Sequence, residues 1–134
     1  MAEASSNPFE DAPIIFQYTR KQAIDDGVLV DLTPWAAEDG FVIPVACTST
    51  VWHQWIVPPS SAEGLGQSER GRVHDILWML LCAIRTRAQS TEQLLFKVSF
   101  QQAIGKMVTA ELKAICGPGD DAEPVLTLLL PDED

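Results

Sequence analysis

Between Glu69 and Leu130 the hydrophobic period changes once, and that change constrains the fold more than any other feature of the chain. Val73, Ile76, Leu77, Leu80, Leu81 and Ile84 recur at i, i+3, i+4, i+7, i+8 and i+11. This spacing gathers them on one side of an α-helix. The sequence predicts a helix over 69–88, with Ser68 as its cap and Arg85 and Arg87 at its negative end. Beyond it the period falls to two. Leu94, Phe96, Val98 and Phe100 alternate with Leu95, Lys97, Ser99 and Gln101, the signature of a half-buried strand. Val108 to Ile115 alternates again, and Val125 to Leu130 is almost continuously apolar, which suits a central strand covered on both faces. Gly117-Pro118-Gly119-Asp120-Asp121 is tight-turn chemistry and makes the last two strands a hairpin. The expected fold is α+β: a C-terminal antiparallel β-meander packed against one long helix, with short N-terminal helices and strand.

The N-terminal half supplies the smaller pieces. Residues 1–13 are small, polar and proline-containing and read as a flexible arm, leaving 14–134 as a single domain. Ile14 to Tyr18 is a short strand candidate. Thr19 is placed to cap a helix from Arg20 to Asp26 that Gly27 ends, and Val28 to Leu32 is the next apolar run. Thr33-Pro34 opens a second helix, with threonine as its cap, which closes at Gly40. Phe41 to Ala46 is extended but broken by Pro44, so an edge strand or a loop over the core is expected. Caps at Thr48 to Thr50 introduce a helix from Val51 to Val57, and Ser60 to Ser68 reads as a loop.

Length and composition then exclude several classes. A chain of 134 residues with 46% hydrophobic content can bury a core of its own. No apolar run approaches the roughly 18 residues of a membrane span. Met1 to Asp11 carries acids and no Lys or Arg, unlike a secretory leader, so a cytoplasmic location is expected. Cys47, Cys82 and Cys116 are odd in number, lack CxxC spacing and sit among apolar neighbours, which predicts three small core residues rather than disulfides or thiolate ligands.

The net charge is −10, and its distribution is uneven. Between Glu69 and Lys113 seven bases face four acids, a net of +3, whereas Gly117 to Asp134 holds six acids and no base. Asp25 to Asp39 adds five acids without a base. Phosphate backbones repel such a chain, so no direct nucleic-acid binding is expected; a basic protein is attracted to it. Asp120, Asp121 and Glu123 on the hairpin, with Asp132, Glu133 and Asp134 on the tail, are the candidate partner-binding acids. Trp52 or Trp55, neighbours on one short helix, is a candidate anchor, because both cannot be equally buried in one core.

Catalytic and metal patterns are sparse. His74, Trp78 and Cys82 share a helix stripe, but eight residues of helix separate imidazole from thiol by about 12 Å, too far for a nucleophile and its base. His53 stands between two tryptophans with no HxxxH or HxxE partner. The acid pairs form no calcium-type loop, and Gly117-Pro118-Gly119 is followed by aspartates rather than the lysine of a phosphate loop. Neither cofactor nor metal is expected.

Three stretches resemble an uncharacterised bacterial family of short acidic proteins carried on plasmids and prophages. They are Tyr18 to Leu32 (YTRKQAIDDGVLVDL), Cys116 to Pro124 (CGPGDDAEP) and Gly71 to Met79 (GRVHDILWM). The resemblance spans about 14–134 and implies a setting rather than an activity, so no catalytic residue comes with it. Small acidic proteins of mobile elements include anti-CRISPR and anti-restriction inhibitors. The expected function is therefore non-enzymatic: binding and inhibiting a basic host protein, of the kind that itself binds nucleic acid, with acids and a tryptophan. One alternative is a small hydrolase or transferase that brings His74 or His53 beside a carboxylate. The other is a homodimeric structural or adaptor module built on exposed tryptophans or a strand edge.

Overall fold

The computed structural model describes residues 18–86 and 92–133. The flexible-arm expectation, nearly all of the Ile14–Tyr18 strand, Ala88 and Asp134 lie outside them. Helix α1 (Arg20–Asp25) leads through Gly27, at φ +79°, into strand β1 (Leu29–Asp31). Helix α2 (Thr33–Glu38), strand β2 (Val45–Thr48) and a short α3 (Ser49–Val51) follow. The last runs straight into a π-helical turn, Trp52–Ile56, before a 3₁₀ turn at Ser60–Ala62. The long helix α4 (Glu69–Thr86) precedes strands β3 (Gln93–Ala103), β4 (Lys106–Pro118) and β5 (Pro124–Leu129).

The five strands form one sheet in the order β1-β2-β5-β4-β3. β3, β4 and β5 make the expected antiparallel meander, and β5 is central. The sheet is nonetheless mixed, because β2 lies parallel to β5, pairing Val45 with Leu126 and Cys47 with Leu128. Pro44 therefore precedes an interior strand instead of marking an edge. It lacks an N–H but keeps its carbonyl, which accepts from the Leu126 N–H at 2.9 Å.

Strand alternation sends Phe96, Val98, Phe100, Ala110, Leu112, Val45, Cys47 and Leu128 to one face, where Val73, Ile76, Leu77 and Leu80 of α4 cover them. Helix α1 attaches to the opposite face. Arg20 crosses onto β5 there, donating to Thr127 Oγ1 and the Leu126 carbonyl, both at 2.7 Å.

Three local expectations are corrected. Thr33 is not a cap: it lies inside α2 after Leu32 and bridges Asp31 Oδ1 and the Val45 carbonyl, stitching α2 to β1 and β2. The Trp52–Ile56 segment is π-wound, with the Val57 N–H reaching the Trp52 carbonyl five residues back. Cys116 is exposed near the end of β4, so only Cys47 is a fully buried cysteine, its thiol pushed up to about 12 by desolvation.

Arg72 is 1% exposed inside the core. Its guanidinium donates to Gln67 Oε1, the Trp55 carbonyl, the Gln101 carbonyl and Gln102 Oε1, at 2.7 to 3.0 Å, and lies 4.7 Å over the Phe100 ring. One side chain thus ties α4 to the π-turn, to the loop before α4 and to the irregular end of β3.

Candidate functional site

The hairpin acids are brought to α1. Asp120 Oδ1 accepts the Arg20 N–H at 2.7 Å and Oδ2 accepts the Lys21 N–H at 3.0 Å. Thr19 Oγ1 accepts the Gln22 N–H, and Gln22 returns the contact in a capping box. The open amides of the first helical turn are thereby satisfied from two directions, one of them a hundred residues away in sequence. Glu123 folds back across the turn and accepts the Asp121 N–H at 3.1 Å. Ala122 at φ +66° closes the tip.

This docking has an electrostatic result. It places Asp120 and Glu123 beside Asp31, around Arg20. Three carboxylates thereby share one groove with Arg20 and Lys21. An open groove of about 410 Å³ runs between them, lined by Arg20, Lys21, Asp31, Thr33, Asp120 and Glu123. Burial lowers the pKa of Arg20, while Asp31, Asp120 and Glu123 oppose that by favouring its charge. Lys21 pairs with Asp25 at 3.5 Å in full solvent, a contact of little energetic weight. Tyr18 donates to Asp26 at 2.6 Å, which raises the phenol above its ordinary pKa.

Asp132 and Glu133 of the tail are not part of this groove. Strand β5 carries the chain six residues, about 20 Å, from the hairpin to a point beside Lys113 in the middle of β4. There the Glu133 carboxylate accepts from Thr48 Oγ1 and from the Leu130 N–H, both at 2.8 Å. The Glu133 carbonyl accepts from Lys113 Nζ, a lysine that is almost wholly buried. Asp132 is exposed beside it. Among the described residues, the side chains of Asp121 and Asp132 make no hydrogen bond or ion pair, whereas Asp120, Glu123 and Glu133 are each used by the fold.

The tryptophans also divide. Trp52 is half-buried and stacks on Trp35 with centroids 6.2 Å apart, and Trp55 is half-buried and stacks on Phe100 at 6.1 Å. Both pack against the core, one on either side of the π-turn. The exposed tryptophan is Trp78, at 55%, on α4.

His74 Nδ1 donates to Asp39 Oδ1 at 3.1 Å, but the histidine side chain is 55% exposed. Arg70 already grips that carboxylate with two nitrogens, at 2.8 and 3.2 Å, and holds its pKa below the usual carboxylate range. The cavity beside them is about 100 Å³, with apolar walls from Phe41, Leu77 and Trp78. His53 Nδ1 donates to the Ser49 carbonyl one helical turn back and is exposed. No group of three or more His, Cys, Asp or Glu side chains poised to hold a metal occurs among the described residues. No described helix is long and apolar enough to cross a membrane.

Removing the Asp120 carboxylate tests the junction that builds the face. Asp120→Ala is expected to lower stability by about 1–2 kcal/mol in urea unfolding, because two helix amides lose their acceptor in one step. An unchanged midpoint would show that Thr19 caps α1 unaided.

The profile of a family of unknown function, DUF6573, matches residues 5–134 of the chain. No curated protein and no solved structure matches.

Proposed function

The chain belongs to DUF6573, a family without an assigned activity, and we propose that it is a non-enzymatic inhibitor that docks its acidic face on a basic, nucleic-acid-binding host protein. The observation that carries this reading is the convergence of α1 with the β4–β5 hairpin. Asp31 and the hairpin's Asp120 and Glu123, about ninety residues apart in sequence, line one groove with two bases, and the tighter of those bases, Arg20, spends two of its guanidinium nitrogens on β5. A field of one sign around a groove draws in an opposite surface and speeds its encounter. The plasmid and prophage setting implied by the sequence motifs adds the class of target: a defence system of the kind blocked by anti-CRISPR or anti-restriction proteins.

Because Asp120 and Glu123 serve the fold, the clean probes are Asp25 and Asp121. A chain carrying Asp25→Asn and Asp121→Asn should keep its melting temperature within about 2 °C, as expected for exposed substitutions. The immobilised protein should capture a basic protein from host lysate at low salt and release it as salt rises, and the doubly neutralised protein should hold that same partner about tenfold more weakly. Equal affinity of both proteins for the captured partner, or capture indifferent to salt, would overturn the proposal.

A further inference from the structure

The outward side of α4 carries a second periodic stripe. Gly71, Asp75, Trp78, Cys82 and Arg85 recur at i, i+4, i+7, i+11 and i+14. At about 100° per residue they fall within an arc of about 80°. That arc lies opposite Val73, Ile76, Leu77 and Leu80, which meet the sheet. Exposure agrees with the winding: Gly71, Asp75, Trp78 and Arg85 are exposed, and Cys82 is half-buried. Met79, exposed, and Leu81, half-buried, border the stripe on either side. Alternating steps of four and three residues are the spacing of a seam between two helices, where side chains of one enter the gaps of the other. The middle of the stripe, Trp78 and Cys82, is apolar where the outer side of a solvated helix is polar.

The ends of the stripe are charged, and oppositely. Asp75 and Arg85 each stand five residues, about 7.5 Å along the axis, from the level of Leu80. Among the described residues neither side chain makes a hydrogen bond or an ion pair. Asp75 acts within the chain only through its field at the buried Arg72. Arg70, by contrast, is already held by Glu38 and Asp39.

We infer that α4 packs antiparallel against α4 of a second copy, about a two-fold axis level with Leu80. An axis there sets Trp78 of each copy beside Cys82 of the other, large against small, and Asp75 of each beside Arg85 of the other. Met79 and Leu81 each meet their own equivalents at the flanks. Charge selects both the occupant and its direction. A parallel mate would set Asp75 against Asp75 and Arg85 against Arg85, whereas the same helix reversed offers each its opposite at the spacing required. A basic protein of the kind drawn to the acidic groove would meet Arg85 with like charge. Two chains of net charge −10 repel over most of their surfaces, but α4 belongs to the stretch from Glu69 to Lys113 in which bases outnumber acids. This inference does not rest on the acidic-groove reading. Helices α4 and α1 lie on opposite faces of the sheet, so a dimer joined through α4 leaves both grooves open.

Sedimentation of the full chain across the micromolar range tests it. The expected result is a mass that rises with concentration from that of one chain to that of two. Trp78→Ala should raise the dimer dissociation constant at least about tenfold, as for a central aromatic anchor. Asp75→Arg and Arg85→Asp, each alone, should raise it about tenfold by setting like charges against each other twice. Combining the two should return it to within about threefold of the starting value, because the opposite charges then meet again with their places exchanged. If Trp78→Ala fails to fold, the charge exchange, made at two exposed positions, carries the test alone. A monomer throughout the range, a dimer indifferent to either reversal, or two reversals whose losses add instead of cancelling overturns the inference.

Discussion

Replacing Arg72 with methionine is expected to cost the domain about 3–5 kcal/mol, lowering its melting temperature by roughly 10–20 °C. Methionine is close enough in volume to avoid a large cavity, so the loss comes from what the guanidinium leaves behind. The carbonyls of Trp55 and Gln101 and the amide side chains of Gln67 and Gln102 lose their donor at a buried position. Each buried acceptor left without a partner costs about 1–3 kcal/mol. Arg72→Lys keeps the charge but offers no planar fork for acceptors on three sides, and should recover less than half of the loss. Thermal unfolding followed by circular dichroism reads both. A fall of under about 3 °C for Arg72→Met would mean that solvent replaces the guanidinium and that the π-turn needs no clamp.

Nothing in the sequence marks Arg72 as buried, and the reason is physical. Periodicity reports the average environment of a helix face, and Arg72 sits beside Val73 at the border of the apolar stripe. Its burial is made possible by acceptors from the neighbouring loop and from two distant segments, 17 and about 30 residues away, which sequence spacing cannot bring together. The same limit explains the Trp52–Ile56 segment, where helical spacing was legible but the wider winding was not. Five-residue bonding there leaves the Trp55 carbonyl turned toward Arg72, a tertiary choice. The meander, the long helix and the hairpin were legible because local pattern alone dictates them: period two, period 3.6 and a Gly-Pro-Gly turn. The parallel β2–β5 pairing was not. It joins segments eighty residues apart, and Pro44 argued locally for an edge.

For the candidate site, sequence order was a partial guide. Clustering of Asp120, Asp121 and Glu123 on a turn was plain, but the meeting of the hairpin with Asp31 around Arg20 depends on Asp120 reaching the amides of α1. Equal weighting of hairpin and tail failed for the opposite reason. Chain proximity suggested one acidic patch, while an extended strand of six residues holds the two clusters at opposite ends of β5. Acids that look interchangeable in sequence thus have different work: Asp120 caps a helix, Glu123 shapes a turn, Glu133 fastens the tail, and Asp121 is left to solvent.

The second large effect is expected at Phe100. Its ring is 1% exposed, stacks on Trp55 and lies under the Arg72 guanidinium, so three elements meet on one side chain. Phe100→Ala should cost about 3–5 kcal/mol, the sum of lost burial and a cavity that the rigid sheet beneath cannot close. Trp55 would lose its stacking partner, and its fluorescence should shift to the red while the protein is still folded. The informative measurement is the double-mutant cycle with Arg72→Met. If the cation over the ring contributes beyond packing, the two losses fall short of additivity by about 1 kcal/mol, since either change alone already removes the contact. Strict additivity would assign Arg72 to its four hydrogen bonds alone. In that case the open ring face of Phe100 would serve the core only as apolar surface.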